Sequence, residues 1–181
     1  QSLESTFPNT DVVWVANLRK LKRPEWILAA AEALPNVDFT MVGGSVSDKA
    51  YYNEIQQQAS KIPNLHFLGP KSFWETNVIV SHARVLSCTS TFEGFPNTFL
   101  QAWSAGIPVV STVDPSRVIT DNDLGEVVAS SEEFVQAIQR LVSDKQGYVN
   151  RSTRVNLYFR QNHSVDINFR LLMEYIGRTI N

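Results

Sequence analysis

The residues best suited to chemistry lie in one stretch: Glu93-Gly94-Phe95-Pro96-Asn97-Thr98-Phe99-Leu100-Gln101, closed by Gly106-Ile107-Pro108-Val109-Val110. An acid and a glycine stand at the mouth of an expected helix. Pro96 suits the first helical turn, where its missing N–H costs nothing. Gly94 lets the backbone approach a ligand with no Cβ in the way. The N–H groups of Phe95, Asn97 and Thr98 then lack helical partners and have the positive end of the helix dipole behind them, an arrangement that attracts phosphate. Glu93, just outside the helix, is placed to accept hydrogen bonds from sugar hydroxyls. The same residues also suit a plain turn in which Glu93 only complements the dipole.

A second chemical segment is Asn17–Arg23, which carries Arg19, Lys20, Lys22 and Arg23. One or two of these cations could neutralise a diphosphate, lysine as a point charge and arginine as a fork. A solvated basic turn is the alternative. Gly43-Gly44 could admit a phosphate or a sugar. The backbone of Leu68-Gly69-Pro70-Lys71 could pair with a nucleobase edge. Phe73 and Trp74 stand beside that segment and could stack on a ligand, with core packing as their expected use.

These segments need a scaffold that brings them to one edge. Short apolar runs at Val12–Ala16, Asp38–Val42, Leu65–Leu68, Ala83–Cys88, Pro108–Ser111 and Glu126–Ala129 read as buried strands. Between them lie amphipathic helices, marked by Ile27, Ala30, Ala31 and Leu34, then by Tyr51, Ile55, Ala59 and Ile62. Phe73–His82 and Pro96–Ala105 supply two more. Ser130 and Glu133 have capping-box spacing ahead of a stripe at Phe134, Ile138, Leu141 and Val142. Two helices follow, the last with Val165, Phe169, Leu172, Met173 and Ile176 at helical spacing. Alternation of this kind implies a Rossmann-like three-layer α/β domain with a mostly parallel sheet of about six strands. Ligands of such sheets sit beyond the carboxyl ends of the strands, where all of the segments above emerge.

Composition narrows the function. With 181 residues, 43% of them hydrophobic, the chain can bury one sizeable core. A net charge of −2 provides no broad basic surface for nucleic acid or anionic membrane. Cys88 is the one cysteine, so no internal disulfide forms, and its apolar setting fits an inert buried thiol. No apolar segment reaches bilayer-spanning length. Asp121-Asn122-Asp123 has the form of a metal-binding D-x-D, but its neighbours Leu124-Gly125 favour a turn. His66, His82 and His163 are scattered without partners at ligand spacing, so no metal site is expected. Residues 1–10 read as a linker, which suggests a domain taken from a longer protein.

Together these segments resemble the donor-nucleotide lobe of the family 4 (group 1) retaining glycosyltransferases of two-lobed GT-B architecture. The resemblance runs from Val12 to about Asp144. It rests on Asn17-Leu18-Arg19 with Lys22-Arg23-Pro24, on Phe39-Thr40-Met41-Val42-Gly43-Gly44, on Asn64-Leu65-His66-Phe67-Leu68-Gly69, on Ser90-Thr91-Phe92-Glu93-Gly94-Phe95-Pro96-Asn97, and on Ala105-Gly106-Ile107-Pro108-Val109-Val110. It implies that Glu93 is the catalytic acid of an E-x7-E pair and holds the donor sugar. Arg19, Lys22, Gly43, Gly44, Gly69, Gly94, Phe95, Asn97, Thr98 and Gln101 are implied to bind the rest of the donor. Asn17 stands where many members carry an arginine, with Arg19 two residues on as the replacement cation. Gln101 takes the place of the second acid; it keeps one acceptor oxygen for the ribose but no charge.

The resemblance also implies a UDP- or GDP-linked sugar as substrate, with no cofactor and no metal. The implied acceptor is a glycan or lipid-linked sugar, bound by a preceding lobe. The implied setting is cytoplasmic polysaccharide assembly, peripheral to the inner face of the membrane at most. It divides the chain into a tail (1–10), a binding domain (11–163) and a C-terminal helix (164–181) that packs either on the first lobe or on its own domain. The isolated domain is expected to bind donor weakly and not to turn over. Two rival readings are a non-catalytic sugar-nucleotide-binding module and a lobe of a sugar-nucleotide epimerase.

Overall fold

The six apolar runs become six parallel strands in a computed structural model, which describes residues 7–179 apart from 9 and 46. They are β1 (Val12–Val15), β2 (Phe39–Val42), β3 (Leu65–Phe67), β4 (Val85–Cys88), β5 (Val109–Ser111) and β6 (Gly125–Val127), in the spatial order β3-β2-β1-β4-β5-β6. The helices are α1 (Glu25–Ala33), α2 (Lys49–Ala59), α3 (Phe73–Ser81), α4 (Asn97–Ser104), α5 (Val118–Asn122), α6 (Ser131–Ser143), α7 (Lys145–Asn162) and α8 (Val165–Thr179).

Side chains alternate across the sheet with period two and divide the core in half. Val12 and Trp14 face α1, α2 and α6, where they meet Ile27, Phe39, Met41, Ile55 and Phe134. Val13 faces the other way, into a cluster of Leu86 from β4 with Ile79, Phe99, Trp103 and Val155 from α3, α4 and α7. Asn64 closes the end of α1 by donating from Nδ2 to the carbonyls of Ala31, Leu34 and Val37 at 3.0, 3.0 and 2.8 Å.

Several boundaries differ from the sequence expectation. Strand β6 begins at Gly125, one residue earlier than expected, because that glycine pairs with Val109 and a Cβ there would overlap the Val109 carbonyl. Pro96 lies outside α4 as its N-cap, with extended ψ of 118°. Asp121 and Asn122 end a five-residue helix, α5, that periodicity could not reveal. Thr10, read as tail, is buried and shares a 2.7 Å hydrogen bond with Thr40; residues 1–6 and 9 of that tail lie outside the described residues. Helix α8 leaves Val165, Phe169, Leu172 and Met173 exposed. No helix among the described residues is long and apolar enough to cross a membrane.

Candidate functional site

The strand order reverses direction at β1. Its two neighbours are β2 and β4, so the loops leaving β1 and β4 diverge and open a crevice at the carboxyl edge of the sheet. From β1 the chain passes through Asn17 and Arg19 into a 3-10 turn, Lys20–Lys22, closed by Arg23 in the left-handed region at φ 45°. From β4 it passes through Thr89–Glu93 to α4. The two loops are bound together along their length. The Thr91 amide donates to Leu21 O at 2.8 Å, and Thr89 Oγ1 donates to Lys22 O at 2.5 Å while accepting from Trp14 Nε1 at 3.0 Å. Arg23 turns inward: Nε donates to Thr89 O at 2.6 Å, and the guanidinium lies 4.2 Å above the Trp26 ring. Desolvation lowers its pKa.

Arg23 therefore serves the scaffold, while Lys22 and Arg19 face the crevice. Lys22 Nζ forms an ion pair with Glu93 Oε1, and each side chain is 20% exposed. Ser90 Oγ donates to that same carboxylate oxygen at 2.7 Å, which fixes its direction. The cleft has a volume of about 480 Å³ and is lined by Asn17, Arg19, Lys22, Glu93, Phe95, Asn97 and Thr98 among others. At one wall α4 begins at Asn97 with no described side chain capping it, and the Phe99 amide already turns to Pro96 O at 3.0 Å. A phosphate in this cleft would meet two cations and a helix N-terminus; a sugar would meet a carboxylate.

Gly94 stands at the mouth, with no described atom within 4 Å of where a Cβ would be. Packing gives no reason for glycine there. Gly43, by contrast, is required by the fold: a Cβ would overlap the carbonyl oxygen of Ala16. Gly69 needs its positive φ of 67° and accepts the Gly43 amide at 2.9 Å, while Gly44 packs beside Pro70. These three glycines tie the ends of β1, β2 and β3 together beside the cleft. Phe95 puts its ring against Phe99 and Trp103, at 6.3 and 6.0 Å.

Gln101 does not join Lys22 and Glu93 in the cleft. It lies one helical turn beyond Asn97 on the same flank of α4. There it lines a separate groove of about 720 Å³ between α3 and α4, together with Phe73, Trp74, Asn77 and His163. Phe73 and Trp74 are not core residues: they are 62% and 75% exposed. Sequence reasoning placed Thr89 and Ser90 in this loop but gave their hydroxyls no role, since the bonds they make are to residues of the β1 loop and to Glu93.

The D-x-D segment is occupied by cations. Asp121 pairs with Arg117 at 3.2 Å, and Asp123 pairs with Arg151 at 3.1 Å and with Arg154. Among the described residues no three histidines, cysteines or carboxylates gather as a metal would require.

Residues 9–144 match the sequence profile described as "Glycosyl transferases group 1". The chain belongs to that family. Its fold is that of a GT-B lobe. Group 1 members among the similar structures include the C-terminal domain of LpcC from Francisella tularensis, 17% identical, with 90% of each chain covered and a TM-score of 0.76. HepE from Anabaena, whose crystal structure contains UDP and glucose, is 20% identical over 93% of this chain and 49% of its own, with a TM-score of 0.77. Glycosyltransferase 1 domain-containing protein 1 of Xenopus tropicalis is 24% identical over 161 residues, which is 86% of this chain and 46% of that protein. The chain thus spans about half the length of HepE and of the Xenopus protein.

Proposed function

We propose that this chain is the donor-binding lobe of a retaining glycosyltransferase that moves a hexosyl group from a nucleotide-diphospho-sugar to a glycan or lipid-linked acceptor. The observation that carries the reading is the meeting of Lys22, Glu93 and the start of α4 in one cleft at the switch point of the sheet. Lys22 and Arg19 hold the diphosphate against the amides at the start of α4. Glu93 accepts from the sugar hydroxyls, and Gly94 lets the sugar approach the backbone. Gln101, one turn along α4, accepts from the ribose. The presence of UDP and glucose in HepE supports the choice of ligand class.

In the reaction the bond between the anomeric carbon and the phosphate oxygen breaks, the acceptor hydroxyl oxygen bonds to that carbon, and the hydroxyl proton passes to the departing diphosphate. The negative charge that develops on the departing diphosphate is what Lys22, Arg19 and the helix terminus stabilise. Positioning the acceptor hydroxyl is a separate task, assigned here to a preceding lobe. The chain alone therefore binds donor without transfer.

Calorimetric titration with UDP, GDP, ADP and their sugar conjugates tests this reading, on the native chain and on Lys22→Ala. One nucleotide should bind, and Lys22→Ala should weaken it at least tenfold, the order expected for a charge-assisted phosphate contact of about 1.5–3 kcal/mol. Nucleotide binding that ignores Lys22 would sink the reading, as would transfer by this chain alone for its incompleteness.

A further inference from the structure

The exposed pair Phe73 and Trp74 has no packing explanation. Two large aromatic side chains open the first turn of α3, 62% and 75% exposed, with ring centroids 5.6 Å apart in an edge-to-face arrangement. Their position is fixed all the same. Ser72 caps the helix by accepting from the Glu75 amide at 3.2 Å, and Glu75 returns the bond by accepting from the Ser72 amide at 2.9 Å. A reciprocal cap of this kind holds the first helical turn, and with it the two rings.

Both rings line the groove whose opposite wall is α4 at Leu100 and Gln101. Gln101 sits on the flank of α4 that also carries Asn97 of the cleft, four residues and so about 6 Å of helical rise away. That is the reach of a nucleotide from its phosphates to its ribose. A ligand held by Lys22 at the start of α4 and running along this flank brings its base to the α3 side of the groove. Aromatic faces attract bases by stacking, and a groove of about 720 Å³ is the size of ordinary small-ligand sites.

We propose that Phe73 and Trp74 form a stacking platform for the nucleobase of the donor. The platform rests on the reading of the cleft as a diphosphate site. Trp74 is the principal face and Phe73 its edge-on support. Asn77, in the next turn of α3 and lining the same groove, is within the reach of a base edge. The contact belongs to binding and has no part in the chemical step.

The test compares UDP with inorganic pyrophosphate, which carries the charge without the base, on the native chain, Trp74→Ala, Trp74→Phe and Lys22→Ala. Trp74→Ala is expected to lower UDP affinity about tenfold, the middle of the range for one base on one aromatic ring. Trp74→Phe should restore most of the affinity, because stacking needs a face and not an indole. Pyrophosphate should bind all three forms with an intact Lys22 equally, and Lys22→Ala should weaken both ligands. If Trp74→Ala binds UDP as the native chain does while Lys22→Ala does not, the platform is overturned and the cleft reading survives. Equal weakening of pyrophosphate by Trp74→Ala would mean a disturbed fold, and would also overturn it. If neither ligand responds to Lys22→Ala, the cleft reading fails and the platform fails with it.

Discussion

Glu93→Gln should strengthen nucleotide binding while weakening the preference for the sugar conjugate. The reason is competition. Glu93 Oε1 holds Lys22 Nζ, and a diphosphate entering the cleft must draw the same ammonium away. Two full charges about 4 Å apart attract by about 4 kcal/mol at an effective dielectric near 20. Fully exposed pairs return no more than about 1 kcal/mol. With each side chain 20% exposed, this pair falls between those limits, at about 1–2 kcal/mol. Glutamine keeps the shape and can still accept from Ser90 Oγ, so the loop is not disturbed. It also retains a neutral acceptor for Lys22, so only part of the pair energy is released. Affinity for UDP should therefore rise about fivefold. Affinity for UDP-glucose should rise less or fall, because a charged acceptor of the sugar hydroxyls has become a neutral one. Paired calorimetric titrations of UDP and UDP-glucose on the native chain and Glu93→Gln measure both effects. A variant that binds UDP no better than the native chain would refute the competition argument.

Gly43→Ala should lower the melting temperature sharply or prevent folding, by about 3 kcal/mol or more, because the new Cβ meets backbone and not a movable side chain. Asn64→Ala should cost about 2 kcal/mol in urea denaturation, since it strips three carbonyls of one shared donor. His163 packs among Trp103, Tyr158 and Phe159, and burial lowers its pKa. Because the folded value lies below the unfolded one near 6.5, the unfolded chain takes up the proton first. Stability is complete above about pH 6.5 and declines as pH falls from there toward the folded value. Urea midpoints at pH 7.5 and 5.5 should differ less in His163→Phe than in the native chain.

Much of the fold was legible because its strands are short apolar runs bounded by glycine and proline, a pattern that survives without knowledge of partners. Gly125 was the exception: read as a turn residue, it is a strand residue whose missing side chain admits the Val109 carbonyl. Helix α5 was hidden because five residues are too few to show a period. Lys22 and Glu93 were each legible as ligand residues, yet not as a pair. They are 71 positions apart, and only the placing of β4 beside β1 joins them. Local pattern also could not separate Arg23 from its basic neighbours, since its inward turn depends on carbonyls of the β4 loop. Phe73 and Trp74 read as core because aromatic residues usually are; their exposure follows from standing at the start of α3, past the edge of the sheet.

The joined Lys22 and Glu93 bear on how binding responds to ionic strength. Cations that wait free in a cleft lose their hold on phosphate as electrolyte screens them. Here the same screening loosens the carboxylate's grip on the ammonium, so the competitor weakens together with the ligand contact. The two losses partly cancel. Lys22 should therefore add little to the electrolyte dependence of nucleotide affinity, leaving most of the slope to Arg19, and the cleft becomes a phosphate site buffered against changes in its ionic surroundings.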